Sequence, residues 1–368
     1  MKIDRIKVKN FKSLQEIDIS LKNLTLITGV NSSGKSSFIQ TLLLLKQNEM
    51  ILNNIGRKTL IINGDYIKLG NKRDILFANA YKENIEISLS FERYLTKVIF
   101  ENEKLKIDEE TIFPIKGEHT KVLNLFEDRF QYIMTDRVAP SISYGLSDEA
   151  VEQNLLGFKG EYTAHYLAEN RHKRLNIENL KHQNSITSQL LENVSLWLGE
   201  ISNGIDIVST IDRDFQQVKL SYSYIFGDKR TNNYSPLNVG FGITYVLPII
   251  VAILKAKEGD LLIIENPESH LHPTGQSKIA ELCAIASANG VQIIVETHSD
   301  HFLNGIRVAT KKGLLTPKQS SIYYFRKDKD ELETKIDEIH IDENGGIDNY
   351  PKGFFDQFDD DLDKLVTW

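Results

Sequence analysis

Gly29, Gly34, Lys35 and Ser36 stand at the spacing G-x-x-x-x-G-K-[ST] within Thr25-Leu-Ile-Thr-Gly-Val-Asn-Ser-Ser-Gly-Lys-Ser-Ser37. That spacing is the Walker A pattern, and its chemistry is the holding of a nucleotide's phosphates. Glycines let the backbone around Asn31, Ser32 and Ser33 turn its N–H groups inward. A helix opening over Lys35, Ser36 and Ser37 points the positive end of its dipole at the same oxygens. The Lys35 ammonium is placed to reach the β- and γ-phosphates, and the Ser36 hydroxyl to meet Mg²⁺. A Gly/Ser-rich turn with a chance lysine is the alternative. Against it, the apolar run Leu24–Thr28 supplies a strand before the loop, and Phe38–Leu45 a helix after it. The expected ligands are ATP and Mg²⁺.

A second set of chemical groups lies far along the chain. Leu261-Leu-Ile-Ile-Glu265 is a continuous apolar run closed by a carboxylate, which suits a buried parallel strand delivering an acid to its C-terminal edge. Asn266-Pro-Glu268-Ser-His270-Leu-His272-Pro273 follows directly. Val291–Glu296 reads as another buried strand and ends in Thr297-His298-Ser299-Asp300. Glu268 with His270 and His272, or His298 with Asp300 and His301, has the residue types of a zinc site. Such a site needs three or four ligands that converge, and spacing alone does not show convergence. Leu237-Asn-Val-Gly-Phe-Gly-Ile-Thr244 leads into an apolar helix expected to reach Ala256, which puts Asn238, Gly240 and Gly242 at a helix start.

The chain that must position these groups has 368 residues, too many for one small core, and two or three lobes are expected. Its 41% apolar and 26% charged residues are those of a soluble globular protein. The longest apolar run, Phe241–Leu254, is short of a membrane span and contains Pro248. Met1-Lys-Ile-Asp-Arg lacks the apolar stretch of a signal peptide, and the single Cys283 fits a reducing cytosol. A cytoplasmic protein without membrane partners is expected. The net charge of −7 is unlike that of a protein coating DNA, while leaving room for a local basic patch.

In chain order, Ile3–Ser20 reads as two strands around a turn, and Leu24–Thr28 as a third before the loop. Tyr66–Gly70 and Asp74–Phe77 read as a strand and a short helical piece. From Asn84 to Tyr234 the pattern changes. Ile85–Phe91 and Lys97–Ile107 alternate like antiparallel strands, and Tyr132–Pro140 is a strand and turn. Asp148–Leu167 and Ser185–Leu198 are helical, while Gly204–Ile211 and Gln216–Ile225 return to strand. This segment is expected to be an inserted α+β lobe without coiled-coil heptads. Its sharpest charge feature, Arg171-His-Lys-Arg174 with Lys181 and His182, is either a nucleic-acid contact or a solvated helix end. The tail reads as a strand pair, Ser321–Phe325 and Glu333–Ile341, around the charged turn Lys327–Glu331, then an acidic helix Asp359–Leu365. The expected division is 1–83, 84–234, 235–326 and 327–368.

Ile-Lys-Val-Lys-Asn-Phe-Lys-Ser13, joined to the Walker A string, resembles the opening of the RecF, SMC and OLD (overcoming lysogenisation defect) group of ABC-type ATPases. Glu265-Asn-Pro-Glu-Ser-His-Leu-His-Pro273 resembles the Walker B string of OLD-type ATPases, E/D-E-P-E-x-H-L-H-P. The tail, with Gly-Phe-Phe-Asp-Gln357, resembles bacterial AAA-annotated ATPases that carry a small C-terminal domain of unknown function. The resemblance implies an α/β fold: a P-loop NTPase core of ABC type, an inserted α+β lobe and a small C-terminal α+β extension. It implies that Glu265 holds Mg²⁺ through water, that Gln47 stands for the Q-loop glutamine near Mg²⁺, and that His298 is the switch histidine. Asn238, Gly240 and Gly242 would take the place of the signature motif, and Lys12 and Ser13 would lie near the base or form an ordinary strand turn. Asn266 departs from the pattern, because the group carries its catalytic glutamate there and an amide cannot accept a proton from water. Either Glu268 does that work or hydrolysis is slow.

The implied protein is an ATPase that works as a homodimer or higher homo-oligomer beside a separate effector, in bacterial DNA metabolism or anti-phage defence. A nucleotide-gated scaffold with little turnover is the rival, and nucleic acid is a possible further partner. The acids Asp359, Asp360, Asp361 and Asp363 read as an exposed acidic helix in preference to a nuclease centre. Replacement of Lys35 by alanine is expected to abolish binding of labelled ATP in a chain that keeps its circular dichroism spectrum. A folded variant with unchanged affinity would refute the assignment of the loop.

Overall fold

The structure is a computed structural model describing residues 1–52, 59–92, 94–101, 104–107, 123–327 and 332–366. It divides into two compact units. One comprises residues 1–126, 320–342 and 346–368, and the other residues 127–319 and 343–345.

In the first unit the strands Arg5–Phe11 and Leu14–Ser20 pair antiparallel, with Val8 opposite Ile17. Asn84–Phe91 adds to the other edge of the first strand, with Val8 opposite Ile87, and Tyr94–Glu101 and Lys104–Ile107 extend the sheet to five strands. Period-two alternation makes this sheet: Ile85, Ile87, Leu89 and Phe91 are buried and the residues between them are less so. The boundary expected at 83/84 therefore falls inside the N-terminal unit. The apolar row of Asn84–Phe91 is aligned by pairing with Arg5–Phe11, so the inserted lobe does not begin there. Asn102 and Glu103, within the strand expected at Lys97–Ile107, lie outside the described residues.

The strand Leu24–Gly29 is buried throughout, and it pairs in parallel with Ser320–Arg326, placing Gly29 opposite Phe325. Lys335–Ile339 pairs antiparallel with Ser320–Arg326, so the C-terminal extension is built onto a sheet of the N-terminal unit. Of the charged turn expected at Lys327–Glu331, only Lys327 is within the described residues. The phosphate-loop helix, Lys35–Gln47, buries Phe38, Ile39 and Leu42 to Leu45, and the Phe38 ring lies 5.9 Å from that of Phe325. Residues 66–70 form no strand, and Lys72–Ile75 is a short helix with a capping box between Asn71 and Asp74. The acidic helix is present as Gln357–Val366, with Leu362, Leu365 and Val366 exposed.

The second unit holds three parallel strands, Gln131–Ile133, Leu261–Glu265 and Gln292–Glu296, with Leu261–Glu265 central. Leu261–Ile264 is buried on both faces, which explains the unbroken apolar run. The helices Phe241–Leu254, Pro273–Ala288 and Asp300–Lys311 follow one another through this unit, and Leu190–Ile201 packs on the first two. A hairpin of Ile205–Asp212 and Gln217–Phe226 packs with Leu190–Ile201 and Thr163–Asn170.

Two helices are shorter than their patterns suggest. Asp148–Leu167 splits into Asp148–Glu152 and Thr163–Asn170, separated by Gly157 and Gly160 at φ +79° and +73°. A side chain at Gly160 would meet Pro248 Cγ at 2.3 Å, so a close approach to that proline ring selects glycine here. Ser185–Leu198 begins only at Leu190, because the Glu192 carboxylate accepts the N–H groups of Ile186 and Thr187 and holds them as a turn. Among the described residues no helix is long and apolar enough to cross a membrane.

Gly29 has φ +143°, and a Cβ there would lie 2.0 Å from the Phe325 carbonyl oxygen. Gly29→Ala is expected to cost about 2 kcal/mol or more. Gly259 shares a positive φ of +87° but faces open space, so Gly259→Ala carries the backbone cost alone. Urea midpoints should fall further for the first variant, and equal shifts would contradict the strand contact.

Candidate nucleotide site

The phosphate loop is built from the sheet edge outward. Leu24–Gly29 ends in the glycine just described, and the loop closes at Gly34, the helix N-cap, at φ +104°. No side chain caps this helix start among the described residues, and its first turn carries no acid. Gly34 brings no capping side chain, so the positive end of the helix dipole meets the loop without a carboxylate beside it, which suits an anion. Asn31, Ser32 and Ser36 are exposed, Ser37 is half-buried and Ser33 is buried. The Lys35 side chain is 3% exposed, yet its ammonium is not lost in the core. Nζ donates to the carbonyls of Gly29 and Val30 at 2.9 Å each, across the mouth of the loop. These features fit the triphosphate of ATP, with Ser36 at the exposed side of the loop.

A support that sequence reasoning missed lies behind the loop. Thr334 donates its hydroxyl to the Ser33 carbonyl at 2.8 Å and its N–H to the Ser13 carbonyl at 2.8 Å. Its hydroxyl also lies 2.8 Å from Ser13 Oγ, and a side chain at Gly34 would meet Thr334 Oγ1 at 2.3 Å. Ser13 thus backs the loop. Lys12, with φ +51°, donates to Gln40 Oε1 at 2.7 Å, and burial lowers its ammonium pKa. No pattern in the chain links Thr334 to Ser13, which is 321 residues away.

The Gln47 amide donates to the Ile61 carbonyl at 3.0 Å and accepts the Ile67 N–H at 3.0 Å, clasping the segment that follows the helix. Gly64 lies against it so closely that a Cβ would fall 2.6 Å from Gln47 Cδ. Both ends of the amide serve the backbone, so the structure shows Gln47 as a clasp, and a cation role for it stays an expectation of the resemblance.

In the second unit, Glu265, Asn266, Glu268 and His298 gather at the C-terminal ends of two adjacent parallel strands, Leu261–Glu265 and Gln292–Glu296. The Glu265 carboxylate accepts the Tyr132 hydroxyl at 3.0 Å and the Thr135 hydroxyl at 3.1 Å. Burial pushes its pKa up, while these hydroxyls and the Arg137 charge pull it back. The Tyr132 phenol is itself raised, first by burial and then by the Glu265 charge. Arg137 Nη2 donates to the carbonyls of Glu265 and Asn266, the latter at 2.8 Å. Burial pulls the guanidinium pKa down to about 10, and Glu268 is the first of the charges that oppose it.

Asn266 has φ +44°, a left-handed conformation in which asparagine is enriched, and its N–H donates to the Glu296 carbonyl at 2.8 Å. Backbone conformation thus accounts for the residue type at the position where the resemblance places a glutamate. Glu268 is held at both oxygens, by the Thr297 hydroxyl at 2.7 Å and the His298 N–H at 2.8 Å. The His298 side chain is exposed beside it.

The other histidines have different work. His270 sits edge-on to Phe241 and Tyr245, with centroids 4.8 and 4.9 Å apart, and His272 caps the helix Pro273–Ala288 through Thr274 N–H. Asn238 and Gly240 are exposed at the start of Phe241–Leu254, whose first turn has neither a side-chain cap nor an acid among the described residues. Gly242 is buried, and a Cβ there would meet the His270 carbonyl at 2.2 Å. The helix start and the loop after Glu265 are thereby packed into one surface.

The parallel strands and the phosphate loop make this an α/β protein with a P-loop core. Residues 24–304 match the family described as "AAA domain, putative AbiEii toxin, Type IV TA system", and residues 315–365 match a family of unknown function. The chain belongs to this AAA-domain family. It is 22% identical over 342 residues to an OLD nuclease of Thermus scotoductus, covering 82% of this chain and 59% of that protein's length. Among solved structures, it resembles an SMC head bound to the C-terminal winged-helix domain of ScpA. The TM-score is 0.52 at 12% identity, covering 92% of this chain and 98% of the other. An SMC head with extended coiled coil, bound to the C-terminal domain of ScpA from Pyrococcus furiosus, gives 0.50 at 10% identity over the whole of both chains. These two likenesses concern the fold.

Glu268→Gln keeps an acceptor for His298 N–H and leaves the Thr297 hydroxyl a partner, so it is expected to fold and to bind ATP. Loss of a general base should lower steady-state phosphate release by about 100-fold or more. Wild-type turnover in the variant would remove Glu268 from the chemistry.

Proposed function

We propose that this protein binds ATP with Mg²⁺ and hydrolyses it in a cycle that brings two copies together head to tail and so gates a separate effector. The observation that carries the reading is the complete phosphate loop: two glycines with no room for a side chain, a lysine spanning the loop carbonyls and a helix whose first turn carries no acid. Its residues hold the phosphates and Ser36 meets the cation. Bound Mg²⁺ supplies charge to the phosphate oxygens, and Glu265 holds it through water. Glu268 takes the proton of the attacking water, and His298 is the nearby donor to phosphate oxygen.

Asn238 and Gly240, exposed to solvent, and Gly242, buried behind them, form a second helix start without a side-chain cap among the described residues, which suits the phosphate of a partner copy's nucleotide. A twofold arrangement satisfies two such sites with one surface. Work in the cytoplasm, in DNA metabolism or anti-phage defence, is supported by the similarity to the OLD nuclease and by the membership in a toxin–antitoxin-related family. A scaffold with little turnover is the second reading. It is favoured by Asn266 standing where the resemblance expects an acid.

Gly240→Asp tests the dimer. A Cβ at Gly240 has only Ile243 Cδ1 nearby, at 3.8 Å, and aspartate is a favourable N-cap, so the variant should fold. Its carboxylate would face the incoming phosphate, and like-charge repulsion should block association while leaving ATP binding by the monomer intact. Light scattering should show a doubling of molar mass with Mg-ATP for wild type and none for the variant. Association and hydrolysis that both survive the substitution would reject the arrangement.

A further inference from the structure

Three side chains of one short segment converge on a single acid. Each oxygen of the Glu265 carboxylate accepts one hydroxyl, from Tyr132 at 3.0 Å and from Thr135 at 3.1 Å, while Arg137 grips the carbonyls of Glu265 and Asn266. A carboxylate has about four lone-pair sites, so these two donors fix its plane and leave the outer lone pairs for a hydrated cation. Arg137 is an expensive way to hold two carbonyls. It is 2% exposed, only Nη2 is engaged, and its Nε and Nη1 have no hydrogen-bond partner among the described residues. A neutral amide could donate to the same carbonyls without burying a charge. What the guanidinium adds is a planar cation, 5.5 Å from the Tyr245 ring and set beside the strand-end acid.

We propose that Tyr132, Thr135 and Arg137 are positioning residues that orient the Glu265 carboxylate, so that they set the Mg²⁺ affinity of the nucleotide site and leave the affinity for the nucleotide itself unchanged. The assignment rests on the ATP reading above. Outer partners of a metal-binding carboxylate commonly change metal affinity by about 10–100-fold when removed.

The test is a Mg²⁺ titration of the affinity for a fluorescent ATP analogue, with Tyr132→Phe, Thr135→Val, Arg137→Gln and Arg137→Lys beside wild type. Thr135 is exposed, so Thr135→Val should fold even where changes at buried Arg137 do not. Without Mg²⁺ all folded proteins should bind the analogue within about twofold of one another. The Mg²⁺ midpoint should rise about tenfold or more in the phenylalanine, valine and glutamine variants. Arg137→Lys keeps the charge and should recover part of that loss. Unchanged midpoints overturn the proposal, and so does an equal loss of affinity with and without Mg²⁺. Wild-type binding that ignores Mg²⁺ overturns it while sparing the phosphate loop. Failure of wild type to bind the analogue at all overturns the ATP reading itself, and this proposal with it.

Discussion

A phosphate loop works only if bare backbone faces the ligand, and much of the local structure around residues 29–37 follows from that demand. Side chains at Gly29 or Gly34 would collide with Phe325 or Thr334, so the loop can lie close against what supports it. An acidic or side-chain cap would stabilise the helix Lys35–Gln47 by itself, but it would also consume the N–H groups that phosphate requires. The chain leaves this helix start uncapped and recovers order elsewhere. The clasp of Thr334 on Ser13 and Ser33 holds the loop from behind, and buried leucines hold the helix.

The acids obey the opposite constraint. A carboxylate at the end of a buried strand resists ionisation, yet cation binding and proton abstraction both need the charged form. Glu265 and Glu268 are held in place in different ways. Glu265 is surrounded by hydroxyls and a buried guanidinium from the neighbouring strand–turn. Glu268 takes its donors from the end of the adjacent strand, a hydroxyl and a main-chain N–H. Both solutions depend on parallel strands ending side by side, which brings residues 132–137, 265–268 and 297–298 within hydrogen-bond reach of one another.

The exposed helix start at Gly240 resembles the phosphate loop in one respect. Both begin without a cap or an acid in the first turn. They differ in what fixes them: the first is braced by a strand and a threonine, and the second by the close approach of Gly242 to the His270 carbonyl. His270, wedged between Phe241 and Tyr245, makes the histidine-rich string part of that brace. Residue types that suggested a metal are explained by packing.

The sequence by itself determined the chemistry at the loop and the buried strands. Glycine, lysine and serine at fixed short spacing, and apolar runs closed by an acid or a histidine, act through local backbone geometry that a few consecutive residues dictate. The hairpin Arg5–Ser20, the strands around Glu265 and Glu296 and the helix after Gly240 were legible for the same reason. Only the tertiary structure decided what distant residues do. Pairing of Val8 with Ile87 moved Asn84–Ile107 into the N-terminal sheet, and pairing of Ser320–Arg326 with Leu24–Gly29 made the tail part of the same unit. Gln47 became a backbone clasp, and Asn266 changed from a missing acid to a left-handed turn residue. Thr334, Tyr132 and Arg137 carry no local signal, because a hydrogen bond made across hundreds of residues leaves no periodicity in the chain and is set by sheet register and burial.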